Sequence, residues 1–203
     1  QAARRGYLAV CIEQIGFGGR QEKDLPNQTT GVNADPAAHA LLLGRTLQGL
    51  KAMDVSSVND WLCGPDSPHA IDKDRIFLFG HSLGGTAAQC ATAPDTRIHG
   101  TLATGSVRRL HEVLSTRGAG NGELAIPGFL EAFEIEDVLA LIAPRRFVGL
   151  SGRSDHIFPY DGVARAIDGA TPAFAALDAA DNIQVVAALA GYRYYARESW
   201  KAW

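Results

Sequence analysis

Hydrophobic positions in this chain gather in short blocks separated by polar and glycine-rich stretches. Apolar runs with no internal alternation occupy residues 7–14, 75–79, 98–104, 146–152 and 183–190. Runs of this length, bounded by glycine, proline or polar turn residues, are typical of strands covered on both faces in a parallel sheet. We therefore predict five strands, of which 7–14 is expected to be buried and 75–79 to be covered on both faces.

A second pattern, with apolar residues three or four positions apart, fills the intervals between these runs. It predicts one long helix, with room for a kink, from Asp35 to about Cys63. Further helices are expected at 83–93, 107–116, 134–143, 159–167, 172–180 and 196–203. Strands that alternate with helices predict an α/β fold, with a mostly parallel sheet and helices on both faces.

The length of the chain suits one domain. With 203 residues, of which 46% are hydrophobic and 20% are charged, a single domain with a sizeable core is expected over residues 1–203. The stretch at about 105–134 is irregular and rich in glycine and charge. We predict that it forms a flap-like insertion over a site.

Composition narrows the classes of partner. The formal net charge of -3 lacks the basic surplus that nucleic-acid binding needs, so a small neutral or weakly polar molecule is the expected partner. No run approaches the roughly 18 apolar residues of a membrane-spanning helix. Cys11, Cys63 and Cys90 are unevenly spaced and form no CxxC pair, which argues against a disulfide framework or a zinc site. No metal or cofactor is predicted, and the sequence leaves the oligomeric state open.

The most specific motif directly follows the run at 75–79. It reads GHSLGG at residues 80–85, with Ser82 between two glycines. GxSxG alone is weakly specific in a chain with 22 glycines, where a plain glycine-rich turn is the alternative. A preceding strand and a following helix are what a nucleophile elbow requires, because its tight turn leaves the serine oxygen exposed. Such an elbow would aim the Leu83 N–H, at the positive end of the helix, at a developing oxyanion.

Three stretches together resemble one superfamily. They read DKDRIFLFGHSLGG, IEDVLALIAPRRFVGLSGRSDHIFP and the closing GYRYY with SW a few residues later. In this order they are similar to the α/β-hydrolase superfamily, in particular to its branch of dienelactone hydrolases and acetyl xylan esterases. The resemblance runs from about Gly6 to Trp203 and implies the chain order nucleophile, acid, histidine. It implies that Ser82 is the nucleophile and Asp155 the acid, although a loop-capping aspartate also fits Asp155.

The expected position of the base departs from that pattern. The resemblance places a histidine in the loop after the last strand, usually as GH before RYY, whereas this chain reads LAGYRYY with Tyr192 at that place. Tyrosine has a reference pKa near ~10, so phenolate is scarce at neutral pH, and a neutral phenol is a poor proton acceptor. With Tyr192 there, Ser82 lacks its ordinary activation.

The other histidines are weaker candidates for the base. His156 is adjacent to Asp155, and His111 lies in the predicted flap, so both stay open as alternatives. The side chain of His81 is expected to leave the elbow in another direction from Ser82 and to take a buried hydrogen-bonding role. No motif surrounds the remaining three, which are His39, His69 and His99.

The start of the resembling region is also incomplete. The run at 7–14 is similar to the superfamily's fourth strand, so its first three strands and the loop with the second oxyanion donor have no counterpart here. Strand three of that sheet lies between strands four and five, and its loss would leave backbone groups unpaired. We expect the 203 residues to be a fragment, or the missing strands to come from elsewhere. The chain begins without methionine or a signal-peptide pattern, so the compartment stays open.

Three functions fit these residues. The first is a serine-dependent esterase, or related acyl hydrolase, that acts on a small-molecule ester through Ser82, Leu83 and Asp155. The second is a hydrolase-like protein that Tyr192 has impaired and that has a binding or structural role. The third is a peptidase of the prolyl-oligopeptidase type, which shares the elbow and the acid loop and ranks below the esterase.

Overall fold

A computed structural model describes residues 1–21, 34–112 and 124–203. The chain divides into two compact units, one of Gln1–Lys73 with Asn121–Ala125 and one of Asp74–Gly120 with Ile126–Trp203. The single domain expected over residues 1–203 therefore stays a prediction. Within the described residues, no helix is long and apolar enough to cross a membrane.

The described residues of the first unit include two α-helices. They are α1, Ala34–Leu42, and α2, Leu47–Cys63, so the prediction of one long helix is wrong. Gly44 has a φ of 66°, a left-handed conformation that ends a helix. Thr46 then caps α2, because its hydroxyl oxygen accepts a hydrogen bond from the Gly49 N–H at 3.0 Å.

The strand predicted at 7–14 is absent from the described structure. These residues have no regular conformation, and Tyr7, Leu8 and Val10 are exposed. An apolar run indicates a tendency to be buried, but a strand also needs a hydrogen-bonded neighbour, and this segment pairs with none of the described strands. The prediction of a buried strand here is wrong.

The second unit is built on a four-stranded parallel sheet. Its strands are β1, Ile76–His81, β2, Ile98–Thr104, β3, Arg146–Gly152, and β4, Ile183–Ala188. They lie in the order β1-β2-β3-β4, and each neighbouring pair is parallel. Four of the five predicted strands are thus confirmed. Parallel pairing brings all four carboxyl ends to one edge, where the predicted site residues lie.

The expectation that both faces of 75–79 are covered is wrong. Every residue of β1 is partly exposed, whereas the residues of β2 and β3 are almost all buried. In the described sheet β1 is an outer strand with a neighbour on one side only. Its position in the sheet, which the apolar run did not reveal, accounts for the difference.

Five α-helices of this unit lie wholly within the described residues. They are α3, Leu83–Thr92, α4, Phe129–Ala132, α5, Ile135–Ala140, α6, Tyr160–Ala175, and α7, Ala196–Ala202. The two helices predicted around Pro172 are one continuous helix, because proline removes a single backbone hydrogen bond and the buried Phe174 holds the last turn in the core. Of the helix predicted at 107–116, residues 110–112 are helical and 113–116 lie outside the described residues.

Helices cover both faces of the sheet, as predicted. On one face Phe147 packs with α6 in the main core, and a Cβ on Gly149 would lie 2.8 Å from Ile167 Cδ1. On the other face Trp203, just after α7, packs edge-on against Phe77 with ring centroids 5.0 Å apart. The sheet thus lies between two helical layers, which is the predicted α/β arrangement.

Arg145 secures the far end of α3. Its guanidinium donates hydrogen bonds to the carbonyl of Thr92 at 2.6 Å, of Asp95 at 2.8 Å and of Ile98 at 3.1 Å. These are carbonyls at the helix end, the following turn and the start of β2, and helix-end carbonyls otherwise lack partners. The contacts fix α3, and with it the turn at its amino end, against the sheet.

Candidate active site

Ser82 lies in a sharp bend between β1 and α3. Its backbone has φ 55° and ψ -127°, a conformation that is rare for any residue with a side chain. The Ser82 N–H donates to the Thr104 carbonyl at 2.9 Å, and the Ser82 carbonyl accepts from the Gly85 N–H at 2.9 Å. The bend is therefore held to the end of β2 on one side and to the first turn of α3 on the other.

The glycines that flank the bend are required by packing. A Cβ on Gly80 would collide with the carbonyl of Gly84, and a Cβ on Gly85 would collide with the hydroxyl of Ser106. Gly80 and Gly84 approach so closely because the chain reverses from strand into helix within a few residues. Gly85 lies against Ser106, in the segment after β2. This geometry explains why the sequence has glycine at both positions.

Leu83 is the first residue of α3, so its N–H lies in the unpaired first turn at the positive end of the helix dipole. That end of the helix directly adjoins Ser82. The predicted role of Leu83 as an oxyanion donor suits this position and stays a prediction.

The His81 ring is turned toward β2. Its Nδ1 lies 2.9 Å from the Thr104 hydroxyl and 3.1 Å from the Thr104 carbonyl. Burial lowers the pKa of His81, while the hydrogen bond to Thr104 and the charge of Asp155 act in the opposite direction. The ring therefore has the buried, hydrogen-bonded position expected from the sequence.

Asp155 is buried in the loop that follows β3, with 5% of its surface exposed. Its Oδ1 accepts hydrogen bonds from the Ile157 N–H at 2.8 Å and the Phe158 N–H at 2.9 Å. It thus caps its own loop, as the alternative from sequence held. Its charge also acts on His81 of the elbow, which indicates that the acid loop lies near the elbow.

Tyr192 lies in the loop between β4 and α7 and joins the other two loops. Its ring centroid is 5.0 Å from that of His81, in the elbow, and 5.9 Å from that of Phe158, in the acid loop. The structure therefore brings the segments of Ser82, Asp155 and Tyr192 together at the carboxyl edge of the sheet. The role of each residue stays a prediction.

Both histidines considered as substitute bases are exposed. His156 is exposed although Asp155 beside it is buried. His111 has 71% of its side chain exposed, and its Nδ1 lies 3.6 Å from a carboxylate oxygen of Glu134. His39 and His69 are exposed as well. His99 lies near the amino end of β2, away from the carboxyl edge of the sheet.

The predicted flap is described only at its two ends. Glu134, which is buried, accepts hydrogen bonds from the Leu110 N–H at 2.7 Å and the His111 N–H at 3.0 Å. These bonds fasten the two ends of the 105–134 stretch to each other. Residues 113–123 lie outside the described residues, so the flap over a site stays a prediction.

Sequence reasoning missed Thr104 and Phe158. Thr104 binds both Ser82 and His81, and Phe158 links Asp155 to Tyr192. Neither follows a motif, because their roles depend on pairing between distant strands and loops. In the part of the chain that the structure describes, no group of three or more histidine, cysteine or acidic residues could hold a metal ion.

Comparison with known proteins finds similar proteins that are described as hydrolases or esterases. No family model matches the chain. A curated Bacillus subtilis protein described as "Putative hydrolase YtaP" is 28% identical over 189 residues, which cover 92% of this chain and 60% of that protein. The chain thus spans about three fifths of the length of this relative.

Solved structures of esterases have a similar fold. A Bacteroides fragilis protein described as "a putative acetyl xylan esterase" matches with a TM-score of 0.69 and 24% identity, over 92% of this chain and 48% of that one. A glucuronoyl esterase of carbohydrate esterase family 15 from Caldicellulosiruptor kristjansonii matches with a TM-score of 0.67 and 16% identity, over 90% and 55%. At these identities the likeness shows the fold.

The close packing of the elbow gives a first testable prediction. Gly80→Ala is expected to lower the free energy of unfolding by about 1–3 kcal/mol, because the new methyl group has no room beside Gly84. Gly162→Ala, in α6, is the control, since its methyl group would meet side-chain atoms of Glu112 and Arg165 rather than backbone atoms. Urea denaturation measures both, and equal stability of the two variants would contradict the proposed packing.

The lowered pKa of His81 predicts a pH dependence. Below pH 6.5 the unfolded chain takes up a proton at this residue more readily than the folded chain does. Stability should therefore fall as the pH drops from about 6.5 through the lower folded pKa. In His81→Asn the slope of unfolding free energy against pH between about 7 and 5 should be smaller. His156→Asn, at an exposed position, should keep the slope of the unchanged protein, and a slope unaffected by His81→Asn would refute the assignment.

Proposed function

We propose that this chain, which has the α/β-hydrolase fold, carries the acyl-transfer site of a carboxylic ester hydrolase with Ser82 as its nucleophile. The bend at Ser82 is the observation that carries the proposal. A strained backbone at a residue with a reactive hydroxyl, held between a strand end and a helix start, is the arrangement of a nucleophile elbow.

In this proposal Ser82 Oγ attacks the carbonyl carbon of an ester and gives up its proton to a base. The Leu83 N–H stabilises the oxyanion, and the alcohol leaves with a proton. Water then attacks the acyl-serine and releases the carboxylic acid. Asp155 would orient the base, and its position beyond β3 at the same edge of the sheet supports that role.

Tyr192 sets the expected rate. It lies where the resemblance expects the base, beside the elbow and the acid loop. A neutral phenol accepts a proton poorly, so Ser82 should react slowly in this chain. We therefore expect a low activity that depends on Ser82.

A hydrolase-like protein with a binding role is the second candidate. The observation that favours it is the placement of the histidines: His81 is bonded to Thr104, and the other five lie on exposed surfaces or away from the carboxyl edge. In this alternative the same site binds an ester without cleaving it.

The substrate class follows from the comparisons as a proposal. Two of the similar structures are named for esters of carbohydrates, an acetyl xylan esterase and a glucuronoyl esterase. A small carbohydrate ester is therefore the substrate we propose to test first.

A fluorophosphonate probe separates the two candidates. We expect slow covalent labelling of the protein, located at Ser82 by mass spectrometry and abolished in Ser82→Ala, because only an activated serine attacks the phosphorus. Ser154→Ala, at an exposed serine near the acid loop, should be labelled like the unchanged protein. A complete lack of labelling would favour the binding protein.

Restoring an imidazole tests the part assigned to Tyr192. Tyr192→His is expected to raise p-nitrophenyl acetate hydrolysis about 100- to 10,000-fold, which is the usual contribution of a general base. Tyr194→His is the matched control, because this exposed tyrosine is in the same loop and its ring lies 6.3 Å from that of His81. An equal rate in both variants and the unchanged protein would count against the assignment.

A further inference from the structure

Arg108 is a buried cation close to the acid loop. It lies in the segment that follows β2, and 8% of its surface is exposed. One guanidinium nitrogen donates to the Ile157 carbonyl at 2.8 Å, and the other donates to the Glu112 carbonyl at 3.2 Å. Burying a charge is costly unless hydrogen bonds compensate it, so these contacts are specific and directed.

The residue that Arg108 holds is also held by Asp155. The Ile157 N–H donates to Asp155 Oδ1, while the Ile157 carbonyl accepts from Arg108. Both polar backbone groups of Ile157, its N–H and its carbonyl, are thus hydrogen-bonded to side chains. Arg108 and the Asp155 carboxylate are therefore connected through the backbone of one residue.

The segment that carries Arg108 also touches the elbow. A Cβ on Gly105 would lie 3.0 Å from the Tyr192 ring and 3.1 Å from the His81 ring, and the Ser106 hydroxyl packs against Gly85. Residues 105–108 consequently contact the elbow, the Tyr192 loop and the acid loop. A guanidinium anchored on this segment fixes the acid loop relative to the serine.

We propose that Arg108 is a positioning residue that sets the orientation of the Asp155 carboxylate. Its significance for catalysis rests on the proposed function, whereas its effect on the loop does not. Arg108 acts through the Ile157 peptide, and it neither exchanges a proton nor contacts the ester. Ser151 holds the same loop from another side, since its hydroxyl donates to the Phe158 carbonyl, so the loop remains attached when Arg108 is replaced.

Amide hydrogen exchange of Ile157 and Phe158, followed by NMR, tests the effect on the loop. Exchange should be slowest in the unchanged protein, faster in Arg108→Lys, which has one donor nitrogen, and at least about ten-fold faster in Arg108→Gln. The amides of β3 should keep their protection. Arg109→Gln is the matched control, because the neighbouring Arg109 pairs with Glu136 at 3.1 Å and has no such contact with the acid loop.

Unchanged exchange in both Arg108 variants, or an equal loss of protection throughout β3, would overturn the proposal. If Arg108→Gln does not fold, Arg108→Lys decides it alone: faster exchange confined to the loop supports it, and unchanged exchange refutes it.

Labelling in the Tyr192→His background tests the link to catalysis. There Arg108→Gln should slow the fluorophosphonate reaction of Ser82 at saturating probe about ten-fold with little change in probe affinity. Arg108→Lys should recover part of the rate. An unchanged rate alongside faster loop exchange would refute the catalytic significance. If Tyr192→His is not labelled at all, the proposed function fails, and hydrogen exchange still decides the effect on the loop.

Discussion

Ser82 has a φ of 55°, where the side chain of an L-residue crowds its own backbone, and its surroundings are arranged to maintain that conformation. The Ser82 N–H is bonded to the end of β2, and the first turn of α3 closes on its carbonyl. Gly80 is without a side chain because the strand and the helix leave no space between them, and a Cβ on Gly85 would collide with Ser106. Without this close approach, the serine would lie in an ordinary turn.

The parallel sheet brings the loops of the candidate site to one place. Strands that run in the same direction end at the same edge, so the loops after β1, β2, β3 and β4 meet although they are far apart in sequence. Each loop contributes one part of the site: the bend with Ser82, the segment with Arg108, the capped loop of Asp155 and the loop of Tyr192. Rings and backbone hydrogen bonds connect them, with Tyr192 between His81 and Phe158.

Under the proposed function, Tyr192 leaves Ser82 placed as a nucleophile but poorly activated. Its ring stacks with Phe158 and lies against His81, so its presence stabilises the meeting of the loops. In the proposed function the same side chain would be a weak base for Ser82. Packing and proton transfer are separate demands on one position, and tyrosine meets the first better than the second.

Four strands and the elbow followed from the sequence, because buried parallel strands need continuous apolar runs and a sharp bend needs glycine at fixed spacing. The apolar-run signal failed for residues 7–14, because this run has no partner strand among the described residues. Proline misled at position 172, because core packing of Phe174 sustains a helix that local propensity would end. The sequence and its resemblance also predicted Ser82, Asp155 and Tyr192 as site residues, and the structure brings their segments together. Only the tertiary structure showed that Thr104, Arg108 and Phe158 connect the segments of these three residues. Such contacts form between segments that strand pairing brings together, and no local sequence pattern encodes that pairing.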